Sequence, residues 1–293
     1  MKSLGITRCN LESVLFVSEA IKRGYGINIT EDEECPCGEI FAGTEDFIER
    51  SDFVISFSID TDESLLLKSG NKAIPPIYSL NFLSRWRDIA GRIGIPVWND
   101  ALPSPPFEDG EILSMLVARS RKGEVKHYPP SRMFHLDRYT YMASYKPPRN
   151  ILWSMWDISS RIAEESGFVG LAAITFVHRN GMHLYSVKFN SLENNEWTIG
   201  ATPASPFEQV LRAIEPAFLG ETDLLIESAS MRFRDLKNIP TKSLYRVEGL
   251  DLLTHKGEAI VIIRDSDRKR LTAKVERVIK VMNRGESSPR GQD

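Results

Sequence analysis

The residues of this 293-residue chain best suited to chemistry fall in a few short stretches. Glu193 and Glu196, in "ENNEWTIG", stand close enough on a polar loop to form a carboxylate pair, although as solvated loop charges they need no further role. His178 and His183 flank the Asn180–Gly181 turn and could face each other like metal ligands, but no acidic or thiol partner lies near them in sequence, and surface histidines are the plainer reading. Cys35 and Cys37, in "CPCG", have only the distant Cys9 as a third thiol, which favours an ordinary loop over a metal or redox centre. Trp153 and Trp156, in "WSMW", read as core or interface anchors rather than a stacking platform. "RDSDRKR" is a charged helix entry with no net field around it. No metal site is expected.

Composition narrows the classes these residues could serve. The chain is 42% apolar and 26% charged, an ordinary globular balance. A formal net charge of −3 and a pI near 6.0 leave no excess of lysine and arginine to displace counterions from a phosphate backbone, so nucleic acid is not an expected partner. No run approaches the roughly 18 apolar residues of a membrane span, and "MKSLGITRCN" has too short an apolar segment for a signal peptide. A cytoplasmic location is expected, and in a reducing compartment the cysteines imply no disulfide framework.

The elements that must position these residues read as α/β. Asn10 can cap a helix through "ESVLFVSEAIKRG", with Val14, Val17 and Ile21 on one face and Gly24 as terminator. "GINIT" and "DFVISFSI" read as strands around a helical "GTEDFIERS", a β-α-β start. A helix in "IYSLNFLSRWRDIAGRIGIPVWND", broken by Gly94 and Pro96, closes a first unit at residue 98, and the proline-rich linker "ALPSPPFEDG" follows. In the second unit, two strand candidates flank Lys122 and Gly123. A helix then carries Ile151, Met155, Ile158 and Ile162 at helical spacing and stops at Gly167. "FVGLAAITFV" and "HLYSVKF" form a hairpin across Asn180–Gly181. Strict alternation along its second strand would put Leu184, Ser186 and Lys188 on one face and Tyr185, Val187 and Phe189 on the other. Ser205 and Pro206 start a helix with Glu208 at its positive end and a stripe of Phe207, Val210, Leu211 and Ile214; Pro216 ends it. A third unit contains "KSLYRVEGL", "EAIVIIR" and an amphipathic helix "RLTAKVERVIKVM", and "NRGESSPRGQD" reads as a polar, disordered tail. The expected division is 1–98, 108–230, 231–283 as a small β-rich domain, and a tail over 284–293.

Order and wording together resemble one family. "GFVGLAAITFVHRNGMHLYSV", "NNEWTIGATPASPFEQVLRAI" and "LYRVEGLDLLTHKGEAIVI", with "SDFVISFSI", "GIPV" and "SMLVARSRKGEVKHYP" before them, are similar to the ATP-grasp 5-(carboxyamino)imidazole ribonucleotide synthetases of purine biosynthesis. The likeness covers most of the chain. It implies an ATP-grasp-like architecture and a chemistry in which ATP and bicarbonate make a carboxyphosphate that carboxylates the amine of aminoimidazole ribonucleotide. Such chemistry needs magnesium held by carboxylates, donors on the transferring phosphoryl group and a dry site.

The resemblance also marks what is altered. The family's two metal-binding glutamates fall at Thr175 and Ser186, its conserved arginine at Asn190, and its histidine and asparagine loop at "LENNE", which holds Glu193 and Glu196. His135 matches a family histidine, but Arg132 and Met133 replace the acidic and amide residues before it. The subdomain that supplies the lid and the phosphate-binding lysines is missing between Val97 and the strand "EILSMLVAR". The glycine-rich turn after the first strand is "TRCN", and Gly91 and Gly94 are helix terminators rather than a phosphate cradle.

These changes imply a catalytically inactive relative, a pseudoenzyme with no catalytic residue of its own and neither ATP nor magnesium as cofactor. It would serve in binding, scaffolding or regulation, as a homodimer or beside a purine-pathway enzyme. The alternative is an active ligase using Glu193 and Glu196 as relocated acids. Arg8, His255 and Lys256, the latter two in "THKGEA", could present positive groups to a small phosphate ligand. Trp197, Thr198, Phe207 and Glu208 are expected to hold the strand-to-helix corner.

Overall fold

In the computed structural model the described residues are 2–6, 11–30, 39–41, 44–55, 82–99, 110–136, 139–215, 217–233, 239–255 and 257–286. The N-terminal apolar run forms β1 (Ser3–Ile6), helix α1 (Leu11–Lys22) follows, and β2 (Gly26–Thr30) returns parallel to β1. β3 (Glu39–Phe41), α2 (Thr44–Arg50) and β4 (Phe53–Ile55) complete a parallel sheet of order β3-β2-β1-β4. Gly5 is obligatory in β1, because a Cβ there would meet Phe47 and the Ser51 hydroxyl at 2.7 Å. α1 differs from its expected orientation. Phe16, Val17 and Ala20 are buried, as are the polar Glu12 and Ser13, whereas Ile21 is 48% exposed. The helix is rotated so that Glu12 reaches a partner described below. Gly24 terminates it at φ 79°.

Helix α3 (Phe82–Arg92) ends at Gly94, φ 68°, and Val97 then bridges Leu184 in parallel. The larger sheet comprises β5 (Glu111–Arg119), β6 (Val125–His127), β7 (Ser131–Leu136), β8 (Tyr139–Ser144), β9 (Gly170–His178), β10 (Met182–Phe189), β11 (Glu227–Phe233), β12 (Leu250–His255) and β13 (Glu258–Asp265). Its spatial order is β10-β9-β5-β7-β8-β11-β13-β12, with β6 on β5, and neighbours are antiparallel. The sheet runs without a break through residue 230, inside β11.

β5 and β9 are buried on both faces and so read as apolar runs rather than alternating ones. On one face Leu113, Met115 and Val117 pack under helix α4 (Arg149–Ser166), whose Ile151, Met155, Ile158 and Ile162 point inward as expected. Gly167 ends α4 in the left-handed conformation at φ 62°. On the other face Leu116, Ala118, Leu171 and Ala173 meet helix α5 (Pro206–Ile214) and α1. The Asn180–Gly181 turn has positive φ at both residues, 52° and 131°, as a tight hairpin requires.

The alternation expected for β10 fails. Its register shifts between Leu184 and Ser186, so Leu184 joins Val187 in the core under α4, while Ser186 and Lys188 face the other way. A bulge inserts one residue and reverses the phase of everything before it. "KSLYRVEGL" resolves into a short helix α6 (Thr241–Leu244) and the start of β12. Helix α7 (Arg268–Glu286) packs Leu271, Val275, Val278, Ile279 and Met282 on β11 and β13, and runs through Asn283–Glu286, which the polar-tail reading left outside any element. No helix among the described residues is long and apolar enough to cross a membrane.

Candidate functional site

The hairpin and its neighbours align a row of hydroxyls across the sheet. Ser186 pairs with Thr175, Thr175 with Ser114, Ser114 with Ser131, and Ser131 with Ser144. Paired residues share a face, so Thr175 and Ser186 are neighbours on the α5 side of the sheet. Over the row lies the loop 190–195, bent by Asn190 and Asn194 at φ 49° and 64°. The Asn195 amide donates to Ser114 Oγ at 2.8 Å, and Ser114 donates to the Ile174 carbonyl at 3.2 Å. Ser131 donates to the Asn194 carbonyl at 3.1 Å, and the Asn194 amide reaches Thr175 Oγ1 at 3.4 Å. Asn190 is buried and anchors the end of β10, its backbone N–H donating to Leu171 at 2.8 Å.

The loop acids are not free. Glu193 is ion-paired with Lys188. Glu196 opens a 3-10 turn (Glu196–Thr198) and is buried, so its charge requires a partner there. That partner is Arg232 of β11, whose Nε and Nη2 lie 3.0 and 2.9 Å from Glu196 Oε1. The same Nη2 donates to Glu12 of α1 at 2.7 Å, and Glu12 also accepts the Leu192 backbone N–H at 3.2 Å. Glu258 stands 4.0 Å from Arg232 Nη1. A carboxylate–guanidinium–carboxylate triad thus joins the first helix, the loop and the large sheet. Burial raises the Glu12 and Glu196 carboxyls above their ordinary range, with Arg232 offsetting part of that shift. Burial also works against the guanidinium, but Glu196 and Glu12 outweigh it and hold Arg232 above its ordinary value.

Beside the triad opens a cleft of about 340 Å³, lined by Glu193, Glu196 and Arg232 and by Thr140, Tyr141 and Met142. The corner behind it matches expectation. Trp197 is fully buried with Met142 and Ala201, and Thr198 donates to the Asn195 carbonyl at 2.6 Å. Ser205 Oγ caps α5 by accepting the Glu208 N–H at 3.1 Å, and Phe207 is buried. Glu208 pairs with Arg23 at 2.6 Å and Arg212 at 2.7 Å. Burial opposes its charge, yet the two arginines hold the carboxyl below its ordinary value.

The other candidates disperse. His178 pairs with Met182 and His183 with Val177, which puts the two imidazoles on opposite faces and ends the metal reading; His183 instead lies edge-on to Trp98 at 5.6 Å. Among the described residues no group of three or more His, Cys, Asp or Glu could hold a metal ion. His135 lies opposite Thr140, and Arg132 reaches Glu111 at 2.7 Å. His255 ends β12 with its Nε2 buried and without a hydrogen-bond partner. Trp153 and Trp156 are 64% and 37% exposed, so neither is core. Arg8, Cys9, Asn10, Cys35, Cys37, Pro216 and Lys256 lie outside the described residues. Sequence reasoning missed Glu12 and Arg232. The available signal was Arg232 itself, a charge between Met231 and Phe233 near the end of "ESASMRF", which once buried has to find a counter-charge.

Comparison with known proteins bears on this geometry. No family model matches the chain. It is 27% identical over 132 residues to the N5-carboxyaminoimidazole ribonucleotide synthase of Saccharolobus solfataricus, covering 45% of this chain and 35% of that protein. To the enzyme of the same name from Aquifex aeolicus it is 26% identical over 184 residues, covering 58% and 49%. The chain therefore spans less than half the length of the curated relatives it matches. The crystal structure of the N5-carboxyaminoimidazole ribonucleotide synthetase from Thermotoga maritima superposes with a TM-score of 0.81 at 21% identity, over 96% of this chain and 98% of that one. The chain has the fold of these synthetases. The synthase from Aspergillus clavatus in complex with ADP and 5-aminoimidazole ribonucleotide, at 11% identity, still gives a TM-score of 0.79 over 97% and 99% of the two chains.

Magnesium, which likeness to the synthetases implies, does not fit the described residues at the two positions of the family's metal-binding glutamates. A hard dication wants carboxylate oxygens. Thr175 and Ser186 offer hydroxyls instead, and Thr175 is buried with Asn194 against it. Glu193 and Glu196 each already face a cation.

Proposed function

We propose that this chain is a non-catalytic protein on the synthetase fold, in which the place of ATP-dependent chemistry has become a structural joint serving binding, scaffolding or regulation. One observation carries the reading. Glu196, the buried acid of the loop, is committed to Arg232 and through it to Glu12, so the carboxylate that would replace a lost metal ligand instead holds the first helix to the sheet. The short connection from Val97 to Glu111 supports the same reading, because the lid and phosphate-binding subdomain that the resemblance implies between these points has no length of chain to form it. The test is release of ADP from magnesium-ATP in the presence of bicarbonate and aminoimidazole ribonucleotide. No turnover above the blank is expected. A saturable rate abolished by Glu193→Gln would establish the opposite, a ligase of purine metabolism with relocated acids.

A second reading, capture of a small phosphate-bearing ligand, is favoured by His255, whose buried Nε2 has no partner at the end of β12 beside α1. A ligand that binds only the native state raises the melting midpoint by mass action. Ribose phosphate or inorganic phosphate at millimolar concentration is expected to raise it in the wild type and not in His255→Ala. Equal midpoints with and without ligand would remove this reading and leave the first intact.

A further inference from the structure

The floor of the cleft beside the triad changes character along one direction. Met133 of β7 pairs with Met142 of β8, and Met142 pairs with Ser230 of β11, so two thioethers and a hydroxyl lie in a row on one face of the sheet. Adjacent strands stand about 4.8 Å apart, which makes the row about 10 Å long from Met133 to Ser230. Glu196 and Arg232 line the cleft at its polar end, and the exposed Thr140 lines it two residues before Met142. At about 340 Å³ the cleft lies at the small end of ligand sites, which run from about 300 to 1,000 Å³. Unbranched thioethers adapt to a flexible apolar chain laid against them.

The charge at the polar end selects the head group. Arg232 carries one positive charge and serves two buried carboxylates, Glu12 at 2.7 Å and Glu196 at 2.9 Å. One negative charge is left over, and burial holds both carboxyls above their ordinary range even with the guanidinium between them. The second oxygen of Glu12 accepts the Leu192 N–H at 3.2 Å, and Glu193 is neutralised by Lys188, so the excess falls to Glu196. Glu196 is 4% exposed, and its Oε2 lies 3.5 Å from the Ser230 hydroxyl, beyond the roughly 3.0 Å limit of an O–H···O bond. Ser230 lines the cleft too, so this weakly met oxygen is turned toward it. A buried carboxylate oxygen in that state is relieved by a cation. One unit of charge suits a monocation rather than a dication, and among the described residues no group of three or more His, Cys, Asp or Glu could hold a metal ion. An alkyl ammonium has a single charge and three donors; Glu196 Oε2, Ser230 Oγ and the side-chain oxygen of Asn194 are acceptors in the lining.

We propose that this cleft binds a small aliphatic ammonium compound, with its charged head at Glu196 and Ser230 and its alkyl stem along Met142 and Met133. The proposal rests on the reading of the cleft as a place of binding rather than catalysis. The probe is n-butylammonium, a single charge on a four-carbon chain, added to the full chain at constant pH. At about 10 mM it is expected to raise the melting midpoint by about 2 °C or more, while n-butanol and sodium chloride at the same concentration do not. Glu196→Gln leaves Arg232 a single carboxylate and no charge in excess, and affinity is expected to fall about tenfold or more. Thr140→Lys, at an exposed position, supplies a tethered ammonium on a stem of the same length; it is expected to abolish the rise without lowering the midpoint measured in the absence of amine. An absent rise, an equal rise with n-butanol or sodium chloride, or a rise undiminished in both variants would overturn the proposal. An absent rise would leave the non-catalytic reading standing, because ADP release is scored in a separate assay.

Discussion

The hydroxyl row beneath the loop 190–195 and the charge triad beside it handle buried polarity in opposite ways. Ser114, Thr175 and Ser131 are neutral and satisfied by the loop directly above them at 2.8 to 3.4 Å. Glu12, Arg232 and Glu196 are ions, and their contacts span 220 positions of sequence. A neutral hydrogen bond replaces one with water and nets little. A buried ion stripped of its partner keeps the full cost of its desolvation. The loop is therefore held by one tolerant set of contacts and one that fails as a unit, and the latter is built from residue types that could otherwise have served catalysis.

The largest expected effect breaks the triad at its centre. Arg232→Leu leaves two buried carboxylates uncompensated and is expected to cost about 3 to 5 kcal/mol in urea denaturation at pH 7. The sign of its pH dependence follows from the raised carboxyls. A group whose folded pKa lies above its unfolded value stabilises fully below the unfolded value, and that contribution is lost as pH rises through the folded one. The deficit of Arg232→Leu is therefore expected to shrink as pH falls toward the ordinary carboxylate range. A deficit equal to that of a single hydroxyl deletion would erase the distinction between the row and the triad.

His127 is an intermediate case, a titratable group that burial keeps neutral by lowering its pKa to about 4. The unfolded chain binds the proton first, so stability is present above about 6.5 and is lost as pH falls from there through 4. His127→Gln is expected to remove that slope, recovering up to about 2 kcal/mol at pH 4.5 after allowance for solvent at the partly buried ring. Equal slopes for variant and wild type in denaturation at stepped pH would contradict the assignment.

Smaller effects belong to the neutral row. Ser114→Ala removes an acceptor from Asn195 and a donor to Ile174 and is expected to cost about 1 kcal/mol. Thr175→Val, which loses only the 3.4 Å contact with Asn194, is expected to cost less than about 1 kcal/mol by the same measurement. A Thr175→Val loss as large as that of Arg232→Leu would show that the row, too, works as a unit.

Much of the scaffold was legible because local chemistry and tertiary packing agree. Asn180–Gly181 fixes its hairpin, Gly167 stops α4, and Ser205 with Pro206 starts α5, each through a backbone requirement that few other residues meet. β7, β8 and β11 were not read. "SRMFHL" and "YTYMAS" carry polar side chains at mixed burial, and "ESASMRF" is an interior strand buried at consecutive positions with serines among its apolar residues, so none shows clean alternation. The bulge in β10 and the rotation of α1 escaped because both answer to contacts distant in sequence. Arg232 belongs to the same class: nothing near it in the chain announces Glu12.

The central claim is that the acids of this cleft are spent on internal cations and hold no metal-bound nucleotide. Calorimetric titration of magnesium-ATP into the full chain tests it most directly. No saturable heat is expected up to about 1 mM ligand; an isotherm that saturates with a Kd of about 10 µM would contradict it.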